Sequence, residues 1–429
     1  MTHPSQGKDV PLEALRGLAA LTVVAWHLMC GFFPGRTGIF KGFNPAQAAN
    51  GHFWFGVLNG PAAVDFFFVL SGFVLTRRAL ATGDAVPLVR GIVKRWPRLA
   101  GPVVVTILLS YALSRLGAYT TFVDAGRLTH SPWLSSFAFA NPGPADQGLI
   151  GALTQSVYRV FFYGDCSWDT SLWTMVIEFR GSLLAFALAL VFIHLRPARP
   201  LVSGFLAVVV VLVVARIDRA YLTFVSGVLL AALLTRRSPR LPLPLAGMMG
   251  VVGIYCLGYF DGRGDYHWIA MLSGTQWLPS DVHIVGSVAL ILAVEGSTSV
   301  RRALSGVWAA ALGRLSFPVY LVHVLVICSA GSATFLGLSG AMPSPWPALG
   351  GCAVTVCATL AIALPLARFD MWWMRAINLA TRWAVPPAVA SRSETAPMPG
   401  FAGLERLPRP SRTAPAHSLE STVVPWGEP

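Results

Sequence analysis

Apolar runs of about twenty residues, separated by short links that carry arginine, recur along almost the whole chain. The first, residues 12–33, reads LEALRGLAALTVVAWHLMCGFF. At ~1.5 Å per helical residue, about 20 such residues cross the hydrocarbon of a bilayer. Further runs fall at about 61–76, 100–117, 169–194, 201–215, 221–235, 243–260, 282–297, 309–330 and 346–367. Arg77 and Arg78, the segment 86–99 with Arg90, Lys94, Arg95 and Arg98, the link after 194, the RRSPR link and Arg301–Arg302 alternate with less basic connections. By the positive-inside rule the basic links are cytoplasmic. The pattern therefore predicts an all-α fold, a polytopic membrane helical bundle of about ten transmembrane helices with both termini cytoplasmic. Residues 1–11 form the cytoplasmic N-terminus, 12–368 the membrane-embedded domain, and 386–429 a Pro- and Ser-rich cytoplasmic tail expected to be disordered. The connection 118–167 is external, and its apolar part 149–163 lies on the membrane or re-enters it.

Composition agrees. With 55% hydrophobic and 12% charged residues, and a mean hydropathy of +0.62, the chain departs from soluble proteins, in which about a quarter of residues are charged. The net charge of +13 over 429 residues is topological rather than a nucleic-acid surface, because the arginines sit in the short links. The first run is full length and lacks a small-residue cleavage site, so it is expected to stay as a span rather than leave as a signal peptide. Six cysteines occur without CxxC or His-linked spacing, and no metal site is readable. Cys30 and Cys166 both approach the outer surface, where pairing is one alternative to two free thiols. The expected location is the inner (cytoplasmic) membrane of the cell.

Polar residues inside the spans carry the candidate chemistry, since a span built only for anchoring has no use for them. Arg16 and His27 stand eleven residues apart on the first span, so they share a face, about 20° apart around it and ~16 Å apart along it. His27 lies about fifteen residues from the cytoplasmic side, Glu178 about nine and Asp65 a few residues from the outside, all within the outer half of the membrane. A histidine beside carboxylates in a partly dry site suits general acid–base work. The structural alternative is a polar network that only locks helices together. The cost of burial favours function for His27 and Glu178; for Asp65 both readings stand, and His323, at similar depth, reads as a packing residue. Arg95 and Arg98 flank Trp96–Pro97 on the inner side with Arg16 nearby. They fit a dock for a phosphorylated cytoplasmic ligand, although a stop-transfer cluster on lipid head groups accounts for most such basic links.

The succession PLEALRGLAALTVVAWH, FFFVLSGFVLT, KRWPRL, SLWTMVIEFRGSLL and LGRLSFPVYLVH, across residues 11–330, resembles the acyltransferase-3 family of integral membrane O-acyltransferases. The resemblance implies transfer of an acyl group, usually acetyl, from cytoplasmic acyl-CoA to a hydroxyl of a sugar, often in a cell-surface polysaccharide. It implies that Arg16 and His27 match the family's arginine and essential histidine, that Arg95 and Arg98 match its Arg-x-x-Arg element, and that Glu178 matches its glutamate. KRWPRL replaces a longer arginine run and EFRGSLL an aromatic pair, departures that bear on the acceptor. An appended hydrolase-like domain, which some members carry, is not expected from this sequence.

On this reading Arg16, Arg95 and Arg98 bind the donor's phosphates, and His27, oriented by Glu178 or Asp65, is the general base. Expected partners are acyl-CoA, a sugar or glycan acceptor, the lipid bilayer and polysaccharide assembly machinery, with no nucleic acid and no metal. A glycosylated natural product is an alternative acceptor. The rival functions are a proton-coupled transporter or flippase of a glycan precursor and an inactive scaffold.

Overall fold

The computed structural model describes residues 9–141, 143–144, 148–195, 200–235, 239–273 and 279–384. The expected tail, 386–429, lies outside them. Every regular element among the described residues is helical. Ten long helices form the body: α1 (Val10–Phe32), α2 (Gly60–Thr82), α3 (Val86–Arg115), α4 (Trp173–Leu195), α5 (Pro200–Ile217), α6 (Arg219–Leu234), α7 (Leu243–Leu257), α8 (Pro279–Gly296), α9 (Val307–Val326) and α10 (Trp346–Ala384). Six described helices are long and apolar enough to cross a membrane: α1, α3, Thr170–Leu195, α8, Val307–Ser339 and the Trp346–Thr381 part of α10.

Local chemistry sets several boundaries. Pro11 and Glu13 in the first turn suit the start of α1, where free N–H groups tolerate proline and favour an acid. Asn59 caps α2, and Gly83 ends it in the left-handed region at φ 71°, a conformation glycine adopts without a Cβ clash.

The expected loop 77–99 is corrected. α2 runs on through Arg77 and Arg78, and α3 begins at Val86. Arg90, Lys94, Arg95 and Arg98 therefore stand on helical turns. Pro97 and Pro102 interrupt the hydrogen-bond ladder of α3 without ending it, and the Trp373 indole N–H supplies the Pro97 carbonyl at 2.8 Å. Likewise α10 continues past the expected end at residue 368, carrying Asp370 and Trp373 onto α3.

Pairwise contacts give helix directions. α1 and α9 are parallel: Gly17 faces Leu312 and, ten residues on, His27 meets His323. α2 and α8 are parallel, since Asp65 meets His283 and Arg77 meets Glu295. α3 runs antiparallel to α4, through Ser110 with Trp168 and Arg95 with Ser182, and to α10, through Lys94 with Asn378 and Arg98 with Asp370. Backbones approach closely where side chains vanish. A Cβ on Gly17 would stand 2.8 Å from the Leu312 backbone, and one on Gly313 2.6 Å from Glu13 Cβ. Small residues are what permit this helix–helix contact in lipid.

The segment 149–163 is helical and packs against α3 and α4: Trp96 Nε1 donates to the Val157 carbonyl at 3.0 Å and Arg180 to that of Phe162 at 2.7 Å. Cys30 and Cys166 are separate free thiols. Burial and the neighbouring Asp169 carboxylate hold the Cys166 thiol above its ordinary pKa, which keeps it protonated and poorly nucleophilic.

Candidate active site

Five helices line an open cavity of about 830 Å³, a volume that includes solvent space at its opening. α2 contributes Val64, Phe67, Phe68, Ser71, Val74 and Leu75. Their spacing of three and four residues makes one stripe of the helix. Leu99, Met175 and Phe317 complete an apolar wall, and Arg16, Arg95, Arg98 and Glu178 give it one charged end. Arg95 and Arg98, three residues apart, share a face of α3.

Each arginine is held by a carboxylate. Arg16 donates Nη1 to both oxygens of Glu13 at 2.9 and 3.0 Å. Arg98 forms a two-pronged pair with Asp370 at 2.5 and 3.2 Å, and Phe317 lies under its guanidinium at 5.6 Å. Arg95 donates Nη2 to Glu178 and Nε to Ser182, and Ser71 donates to the same Glu178 oxygen at 3.0 Å. Arg95 Nη1, Arg98 Nε and Arg16 Nη2 make no hydrogen bond among the described residues, so every guanidinium keeps donor capacity. Only Glu178 of the three carboxylates lines the cavity, so its wall carries three cations and one anion.

Past this cavity stands His27. Its Nδ1 is 2.7 Å from Nε2 of His323, whose own Nδ1 lies 2.7 Å from the Tyr320 carbonyl and 3.3 Å from that of Val319. The His27 ring is 5.0 Å from that of His323 and 5.1 Å from that of Trp133, which is 11° from parallel to it. His323 is fully buried and His27 half-buried. Tyr320 joins the two regions. It lines the cavity, its hydroxyl donates to the Ser171 carbonyl at 2.7 Å and meets Thr174 Oγ1 at 2.8 Å, and its ring is 5.8 Å from that of His323. Phe67, Tyr320, His323, His27 and Trp133 thus make an unbroken file of rings out of the cavity.

Two expected contacts are absent. Among the described residues neither carboxylate proposed to orient His27 touches it. Asp65 bonds His283 Nδ1 at 2.7 Å, and His283 Nε2 meets the Tyr259 carbonyl at 2.8 Å; Glu178 is taken by Arg95 and Ser71. The reason is helix direction. α2 and α8 run in step, which sets Asp65 against a histidine of α8, and burial makes a carboxylate pair with its nearest donor. Conversely, sequence reading gave His323 a packing role, yet it is the side-chain partner of His27. A signal was present: Gly17 and His27, like Gly313 and His323, are separated by ten residues. His283 carried no comparable signal.

The model of a family described as an acyltransferase domain, acyltransferase-3, matches residues 10–364. No curated protein and no solved structure matches the chain.

Proposed function

From the premise that the chain belongs to the acyltransferase-3 family and is a multi-pass membrane acyltransferase, we propose that it moves an acyl group, acetyl above all, from cytoplasmic acyl-CoA to a sugar hydroxyl of a surface or exported glycan, in the inner membrane of the cell. The observation that carries this reading is an arginine-walled apolar cavity whose lining includes Tyr320, the ring packed against the His323 that bonds half-buried His27. Apolar walls with one charged end suit a thioester arm ending in phosphates. The free N–H groups of Arg16, Arg95 and Arg98 would take the phosphates. Arg16 and His27, ~16 Å apart on one helix, are separated by the order of an extended pantetheine arm.

In the proposed reaction His27 takes the acceptor hydroxyl's proton as the oxygen attacks the thioester carbon. The C–O bond forms, the C–S bond breaks, and His27 returns its proton to the departing thiolate. Glu178 serves by holding Arg95, and Asp65 by tying α2 to α8; neither acts on His27. Helix directions fit alternating crossings, because α1 and α9 are parallel, α2 opposes α1 with Arg77 at Asp9 and Gly60 at Trp26, α8 follows α2, and α3 opposes α4 and α10. The basic links would put both ends on the cytoplasmic side.

The test uses purified protein in detergent with acetyl-CoA and a panel of p-nitrophenyl glycosides. Glycoside-dependent release of CoA, lost in a folded His27→Ala protein, is the expected result. An active His27→Ala protein would sink the assignment, and proton-driven glycan uptake without CoA release would replace it with transport. Mass spectrometry of surface glycans from a deletion strain then identifies the acceptor by the acyl group it lacks.

A further inference from the structure

The bonds around His323 determine more than its position. Its Nδ1 faces two carbonyl oxygens, of Tyr320 at 2.7 Å and Val319 at 3.3 Å. Carbonyls only accept, so Nδ1 carries the hydrogen. In a neutral imidazole the other nitrogen is then an acceptor, and Nε2 of His323 must receive the hydrogen on His27 Nδ1 across their 2.7 Å contact. His27 is thereby left with its lone pair on Nε2. The Tyr320 carbonyl thus dictates, through one intervening ring, which nitrogen of His27 can act as a base.

We infer that His323 is the positioning residue of the reaction: it selects the reactive tautomer of His27 and shares the charge that His27 acquires. The inference rests on the reading of His27 as general base. When the acceptor's proton arrives on His27 Nε2, the proton on its Nδ1 can pass to His323 Nε2. His323 then holds two N–H groups, one donated to the Tyr320 carbonyl and the other back to His27, and the positive charge spreads over both rings. Return of the Nδ1 proton restores His27, whose Nε2 proton leaves on the thiolate. No electrons or atoms are unaccounted for.

A neutral partner suits this place. His323 is completely buried, and a carboxylate there would put a lone anion among Leu321, Val322, Val324 and Leu325, all themselves buried. Among the described residues no carboxylate or cation bonds either ring. Trp133 stacks on His27, and Tyr320 stands a turn before His323.

The test compares His323→Leu and His323→Gln, using acetyl-CoA and p-nitrophenyl glycosides, with folding checked by size exclusion in detergent. Leucine cannot accept from His27 Nδ1, and kcat should fall by about 10²-fold with the acetyl-CoA KM within about twofold. Glutamine offers an oxygen to Nδ1 but takes no proton. It should recover about tenfold of that loss while moving the acid limb of the kcat profile by about half a pH unit or more. A folded leucine protein with the parental kcat and pH profile, beside an inactive His27→Ala, overturns the inference and leaves the general base standing. An active His27→Ala overturns both. If the leucine protein does not fold, the glutamine protein decides: an unchanged pH profile, or failure to fold as well, makes His323 a packing residue and ends the proposal.

Discussion

At the scale of the residue, a charge in this protein is defined by the partner that meets it. Arg95 uses two sides of its guanidinium, Nε on Ser182 and Nη2 on Glu178, a fork that lysine cannot reproduce. Glu178→Gln would leave Arg95 buried without its counter-charge, and loss of one partner of a buried pair costs about 3–5 kcal/mol. The expected outcome is a lowered thermal midpoint in detergent. Replacing both, as Arg95→Met with Glu178→Gln, should restore much of the stability but not the affinity for acetyl-CoA. Restored affinity would show that Arg95 serves only the fold. Asp65→Asn tests the other carboxylate. It weakens the contact with His283, so less folded protein is expected, with the pH profile of transfer per folded molecule unchanged. A moved profile would return Asp65 to the chemistry. The candidate residues themselves were legible in the sequence because a polar side chain stands out in an apolar run; their partners were not, because Asp65 and His283 are separated by more than two hundred positions.

At the scale of the element, the pair α1–α9 delivers the two histidines to each other. Both helices place a glycine ten residues before the histidine, and their backbones touch there. A methyl group at residue 17 would meet Leu312 Cγ at 2.4 Å and its carbonyl oxygen at 2.8 Å, so the helices must part or slide. Gly17→Ala should therefore lower transfer by about tenfold or more, since a misplacement of about 1 Å is enough to disturb a catalytic contact. Gly247→Ala in α7, with nothing within 4 Å of the added carbon, should leave it unchanged, and equal rates for the two would refute the packing account. Helix identity was readable from apolar periodicity, but helix ends were not. Arginines suggested a loop at 77–99, whereas Glu295, Glu178 and Asp370 neutralise Arg77, Arg95 and Arg98 on helical turns, so the connection shrinks to residues 83–85.

At the scale of the whole molecule, the directions of α1 with α9, of α2 with α8, and of α3 against α4 and α10 fit the proposed alternating crossings, whose basic links would face the cytoplasm. A fluorescent reporter fused after Pro429 should therefore fold on the cytoplasmic side, and a phosphatase fused at the same place should stay inactive; the opposite pattern would break the ten-crossing account. The sequence by itself determined that the chain is an all-helical membrane bundle, because hydrocarbon demands about twenty apolar residues with their backbone bonds satisfied within each helix, and that rule is local. It also marked Arg16, His27, Asp65, Arg95, Arg98 and Glu178 by the cost of placing them there. Only the tertiary structure decided who pairs with whom: His27 with His323, Glu178 with Arg95, Asp65 with His283. Pairing depends on the direction, register and closest approach of helices distant in the chain, and apolar periodicity carries none of these.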